Sequence, residues 1–125
     1  MAGQFERELK AILQGDKTIL AKVTRTCTDE EREDYYMILK KPFLVIRAAG
    51  SFGVDLIAVR GDISFPIEVK TSKAAVIRFS DKPRLKEQAE RLREECRKVG
   101  LVPLYAYRLK NVRGDAWRVF TVETD

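Results

Sequence analysis

Three short runs between residues 43 and 71 constrain the fold more than any other feature of the chain. FLVIRAA (43–49), VDLIAVR (54–60) and FPIEVKT (65–71) are rich in β-branched or aromatic residues and are separated by turns that contain glycine. They read as an antiparallel meander. Side chains alternate along a strand, so Glu68 and Lys70 share one face while Ile67 and Val69 share the other. If Gly61 and Asp62 are the central residues of a type II′ turn, with glycine first, Arg60 pairs with Ile63, and continuing that register sets Asp55 opposite Glu68. Cβ atoms so opposed lie roughly 5 Å apart, and two carboxylates there repel unless a positive charge stands between them. A divalent cation meets that need, and hard oxygen donors favour Mg²⁺, with Mn²⁺ as a substitute. Lys70, one step along the same face, is placed to orient a water or to stabilise charge developing on a phosphate. Read alone, the hairpin fits a solvated sheet face equally well, with Asp55 turned outward and Glu68 and Lys70 as an exposed polar pair.

Around the meander the pattern alternates between helix and strand. Phe5, Leu9, Ile12 and Leu13 recur at helical spacing, predicting an amphipathic helix that stops near Gly15. DKTILAKVTRT is ambiguous between helix and strand. In the segment that follows, Thr28 and Glu31 have capping-box spacing, which predicts a helix over 29–40 closed by Pro42, with Tyr35, Met37, Ile38 and Leu39 as its packing residues. The stretch SDKPRLKEQAERLREECRKVG predicts a long charged helix, with Ser80 or Asp81 as N-cap, Pro83 in the first turn and Gly100 as the stop. LVPLYAYRL and AWRVFTV read as two further strands. The expected class is α/β: a central mixed sheet of about five strands flanked by helices, in a single domain over 1–125.

The absence of histidine removes histidine-based triads, and Cys27 and Cys96 lack the paired spacing of a zinc site, so both read as reduced thiols. No apolar run approaches membrane-spanning length, and the charged N-terminal residues do not form an export signal, so the expected location is the cytoplasm, or a host's cytoplasm for a viral source. Lys and Arg total 24 against 19 Asp and Glu, a balance that suits a polyanionic partner.

Asp55, twelve residues, Glu68, one residue and Lys70 form the core pattern of the PD-(D/E)xK nucleases, with Val54 where proline is usual. With ERELKAIL in the first helix, VIRAAGSFGVDLIA leading into the aspartate, IEVKTSK after it and a closing WRVF strand, the chain resembles the archaeal-type Holliday junction resolvases of that superfamily. The resemblance implies a restriction-endonuclease-like core and Mg²⁺-dependent, structure-selective cleavage of four-way DNA junctions by a homodimer. By resemblance the catalytic residues are Glu6, Asp55, Glu68, Lys70 and Ser51, with Glu6, Asp55 and Glu68 at the metal and Arg7 and Arg47 on DNA. Helical geometry alone does not choose between Glu6 and Glu8; the E-R-E-L run selects Glu6. Lys82, Arg84 and Lys86 are further candidates for phosphate contacts.

Two departures from the family pattern stand out. A segment over about 16–41 reads as an insertion, since close family members have only a short connection there. Cys96 stands near where relatives often have phenylalanine, in a region of the family's dimer interface. The competing readings are a related nuclease of the same superfamily acting on other branched or duplex DNA, a noncatalytic DNA-binding dimer, and a surface whose charges serve only solvation.

Overall fold

The computed structural model describes residues 3–50, 53–72 and 83–121. Helix α1 (Gln4–Leu13) is followed by α2 (Lys17–Val23), α3 (Asp29–Tyr36) and a 3₁₀ turn over Met37–Lys40. Strands β1 (Leu44–Arg47), β2 (Leu56–Val59) and β3 (Ser64–Ser72) come next, then α4 (Pro83–Val99), β4 (Leu104–Leu109) and β5 (Trp117–Thr121).

The strands form one five-stranded sheet in sequence order. β2 is antiparallel to both of its neighbours, β1 and β3; β3 and β4 are parallel, and β4 and β5 are antiparallel. The sheet is therefore mixed, as expected. α4 supplies the crossover that a parallel pair requires.

The apolar stripe of α1 determines which side of the sheet it covers. Leu9 and Ile12 of α1 and Leu20 of α2 pack on Val45, Leu56, Ala58, Ile67, Ala106 and Trp117, one layer drawn from all five strands. Leu20 and Leu56 are fully buried, so this layer is a dry core. On the opposite side α4 lays Leu92 and Cys96 on Val54 in a smaller cluster. Both cysteines are free, as the sequence predicts, and both are buried. Cys96 is taken up within the chain, 3% exposed.

The stretch after α1 is helical, which its sequence left open. Gly15 adopts φ 78° at the end of α1, and a Cβ there would meet Leu39 at 3.3 Å. Glycine satisfies both the backbone and the close approach. The next residue, Asp16, accepts from the Ile19 N–H and so caps α2. The expected capping box is present in both halves: Glu31 N–H donates to Thr28 Oγ1, and Thr28 N–H donates to Glu31 Oε1. The helix it starts is α-helical only to Tyr36 and tightens to 3₁₀ over 37–40. Tyr35, Ile38 and Leu39 pack against the core as expected, whereas Met37 is 55% exposed.

The meander has the expected register, with Val59 opposite Ser64 and Leu56 opposite Ile67. Its turn is of another kind. Gly61 is not among the glycines with positive φ, which a type II′ turn demands at that position. Ser64 closes the loop instead, its hydroxyl accepting from Arg60 N–H and donating to Arg60 C=O, while Asp62 receives the Arg60 guanidinium. β1 ends at Arg47 and β2 begins at Leu56, so both are shorter than their apolar runs. Ser80, Asp81 and the run AAVIRF lie outside the described residues.

Candidate active site

The loop between β1 and β2 carries the first acidic residue to the sheet. Ala48 N–H donates to Asp55 C=O and Gly50 N–H to Val54 C=O, both at 2.9 Å, so the loop closes on itself. Ala49 takes φ 54°, a left-handed conformation that a residue with a Cβ adopts only where its surroundings impose it. Gly53 adopts φ 79°, and a Cβ there would lie 2.8 Å from Gln88 of α4. The loop is thus clamped from outside by α4, and Asp55 emerges at its end.

Asp55 lies one residue before β2, just beyond the last paired position, Leu56 opposite Ile67. Its N–H donates to Ile67 C=O and its carboxylate accepts the Val69 N–H at 2.7 Å. Burial, above all, pushes the Asp55 carboxyl up from the usual range; the Val69 N–H opposes this, Glu6 and Glu68 push it further up, and Lys70 pulls it back. Two carboxylates are therefore near enough to Asp55 to disfavour its charge. Glu68 is largely covered, at 13% side-chain exposure, and its Oε1 lies 2.7 Å from Lys70 Nζ.

The neighbouring strand supplies the floor. In the β3–β4 register Glu68 is opposite Tyr105 and Lys70 opposite Tyr107, so the tyrosines share the face of the two charges. Burial raises both phenols, and the Glu68 charge raises them further. Tyr107 meets Phe120 of β5 edge to face at 6.0 Å. Neither tyrosine stood out in the sequence reading, although the period-two alternation in LYAYRL is the signal that finds them.

The two acids of α1 separate cleanly. Glu8 Oε1 accepts from Arg108 Nε at 2.8 Å and Trp117 Nε1 at 3.0 Å, and the Arg108 guanidinium lies over the Phe5 ring at 4.9 Å. Glu8 thus fastens α1 to β4 and β5. Glu6 points to the other side, where Arg47 Nη2 lies 3.2 Å from its Oε1 and where its charge acts on Asp55. Arg7 is exposed beside the same helix end. A second E-R-E run, Glu31 to Glu33, is engaged locally: Glu31 closes the capping box, and Arg32 pairs with Asp29 and donates to the carbonyls of Thr24 and Cys27.

The structure brings Glu6, Asp55, Glu68, Lys70 and Arg47 into one electrostatic neighbourhood. Ser51 and Lys82 lie outside the described residues, and Arg84 and Lys86 fall in the first turn of α4. Among the described residues no three acidic or thiol side chains stand close enough to cage an ion. Mg²⁺ does not need such a cage, since it is commonly held by one or two carboxylates and keeps several waters. Asp55 and Glu68, whose repulsion a cation relieves, fit that ion. The set does not fit the sulfur and nitrogen coordination of a structural zinc.

The model of the archaeal Holliday junction resolvase family, Hjc, matches residues 22–124. α1 precedes that span, so Glu6 and Arg7 rest on the geometry of α1 and not on the family match. Among solved structures, the chain is similar to Archaeoglobus fulgidus Hjc, described as a Holliday junction resolvase from an archaeal hyperthermophile. Identity is 28%, the TM-score is 0.50, and the similarity covers 75% of this chain and 74% of that one. With most of its length matched and Asp55, Glu68 and Lys70 all inside the matched span, the chain belongs to the archaeal Holliday junction resolvase family.

Proposed function

We propose that the chain is a divalent-metal-dependent endonuclease that resolves four-way DNA junctions by paired phosphodiester hydrolysis. The observation that carries this reading is the cluster at the end of β2, where Asp55 accepts the Val69 N–H of β3 within electrostatic reach of Glu68, and Lys70 is paired to Glu68 at 2.7 Å. Asp55 and Glu68 would hold Mg²⁺, for which Mn²⁺ substitutes, and Glu6 completes or orients the shell. When bound, the ion supplies a water of lowered pKa and offsets charge developing on the phosphate. Lys70 sets a positive charge beside the reacting phosphoryl group, where preorganised charge is most effective. Arg47 holds Glu6 in the absence of DNA and, with Arg7 and Ser51, contacts backbone phosphates when DNA is bound. Such contacts give affinity without reading bases.

Residues 1–125 are read as one nuclease domain, acting in the cytoplasm, in which 16–41 is an insertion that packs Leu20, Ile38 and Leu39 on the shared core. A two-fold homodimer sets one carboxylate pair on each of two opposed strands. Leu44, Ile46 and Ile57, at 64%, 49% and 36% exposure, support such an assembly, since they form an apolar row on the sheet face that also carries Glu68. Among the described residues no helix is long and apolar enough to cross a membrane.

The test is incubation with a synthetic four-way junction and with plain duplex of the same sequence, each with Mg²⁺ and with EDTA. Symmetric nicks on the junction alone, abolished by EDTA, are the expected result. Equal cutting of duplex would move the chain to a related nuclease activity, and binding without any cutting would make it a noncatalytic binder.

A further inference from the structure

The chain leaving α2 runs beside the turn that joins β4 and β5. Gly114 N–H donates to Thr26 Oγ1 at 2.9 Å, joining two segments 88 residues apart in sequence. Between them is a cleft of about 470 Å³, with Arg108 on its floor, Lys22 and Arg25 on one side, and Asn111 and Arg113 on the other. Four cationic side chains line it against one carboxylate, Glu8, which is already engaged by Arg108 and Trp117.

Lys22, Arg25 and Arg113 are exposed, and none has an ion-pair partner among the described residues. Elsewhere Arg47, Arg60 and Arg97 each have a carboxylate partner. Converging cations left without an anion raise the local potential, and an oxyanion that enters is attracted by all of them at once. Arginine adds planar, bidentate donors suited to phosphate, and the Asn111 amide adds a neutral donor.

The position of the cleft indicates which phosphate it takes. Arg108 is opposite Thr71 in the β3–β4 register and points with Ala106 toward the α1 side. Glu68 and Lys70 point to the other side. The cleft and the carboxylate pair therefore hold different stretches of backbone.

We propose that this cleft is a second phosphate-binding site, which takes backbone phosphates of a DNA arm away from the strand being cut. The proposal rests on the reading of the chain as a DNA-junction enzyme and adds to it an anchor that plays no part in the chemistry.

The experiment uses the full chain and a triple variant, Lys22→Ala with Arg25→Ala and Arg113→Ala. Binding of a fluorescent four-way junction is measured in EDTA across a range of salt, and cleavage is measured in Mg²⁺ at saturating DNA. A dissociation constant at least about tenfold weaker is expected, with a salt slope shallower by about one per cation removed and an unchanged rate at saturation. A triple variant with the parental melting temperature, a dissociation constant within twofold and the same slope overturns the proposal. If the triple variant melts early, the single variants Lys22→Ala and Arg113→Ala are read instead, and an unchanged slope in both overturns it.

Titration with inorganic phosphate alone separates a backbone site from a small-anion site. Saturation of the parent cleft by micromolar phosphate, with no effect on junction binding, also overturns the proposal. If the parent fails to cut junctions while the triple variant still loses affinity and slope, the nuclease reading falls and the phosphate site stands.

Discussion

On one side of β3, Ile67 and Val69 pack beneath α1 and α2 among Leu9, Leu20 and Leu56; on the other, Glu68 and Lys70 stand beside Tyr105 and Tyr107 with the Asp55 carboxylate in electrostatic reach. Ile67 is 2% exposed and loses nothing by its burial. Glu68, at 13% side-chain exposure, and Asp55 are covered at a cost, because each partly desolvated carboxylate stands near another. On the proposed function one strand serves stability and chemistry on alternate residues, and substitutions one position apart are expected to have effects of different kinds.

The largest contrast is expected from Asp55→Asn. With Asp55 as a ligand of the nucleophile-activating ion, as proposed, its loss is expected to remove several kcal/mol of transition-state stabilisation, about a thousandfold in single-turnover cleavage. The Asn amide oxygen still accepts the Val69 N–H, so the fold is expected to be retained. Loss of both activity and fold would break the contrast between the faces.

Ile67→Ala is the converse. Truncating a fully packed side chain costs about 2–5 kcal/mol of stability, read by chemical denaturation, while the fraction that remains folded cuts junctions at the parental rate. A smaller effect is expected at Tyr35, whose hydroxyl donates to Asp115 Oδ1 at 2.6 Å and ties α3 to the start of β5. Burial and the Asp115 charge push this phenol far up, so it remains a donor throughout the accessible range. Tyr35→Phe is expected to cost about 1 kcal/mol, because Asp115 keeps Arg118 as a partner. Cleavage by the folded protein is expected to be unchanged.

The smallest effect concerns pH. The Asp55 carboxyl is raised in the folded chain, so the folded state holds its proton more tightly than the unfolded state does. Its contribution to stability is therefore full below the unfolded value and is lost as pH rises through the folded one. Without metal, Asp55→Asn is expected to melt slightly higher than the parent at neutral pH and equal to it in acid. Mg²⁺ is expected to raise the melting temperature of the parent but not of the variant. A variant less stable than the parent at neutral pH would show that the Asp55 charge is not disfavoured.

How much of this was legible in sequence follows from how local each determinant is. The register of β2 and β3 was readable because a period of two and a short turn fix it, and the helix at Thr28 because its cap is four residues long. The turn type was not, since Ser64 and Asp62 substitute for a left-handed glycine at Gly61. α2 was ambiguous because KTILAKV has mixed propensity, and burial of Leu20 against distant strands decides it. Helical geometry left Glu6 and Glu8 open and only the E-R-E-L resemblance selected Glu6; the physical separation of the two comes from Arg108 and Trp117, about a hundred residues away in sequence, which engage Glu8.

The most direct measurement is single-turnover cleavage of a four-way junction by Glu68→Gln, with binding to the same junction followed in parallel. Removing the negative charge while keeping the shape leaves the core under α1 untouched. The expected result is a fall of about a thousandfold in cleavage, junction affinity equal to the parent's or tighter, and a parental melting temperature. Cleavage within a few-fold of the parent by a fully folded Glu68→Gln protein would contradict the assignment of chemistry to this face.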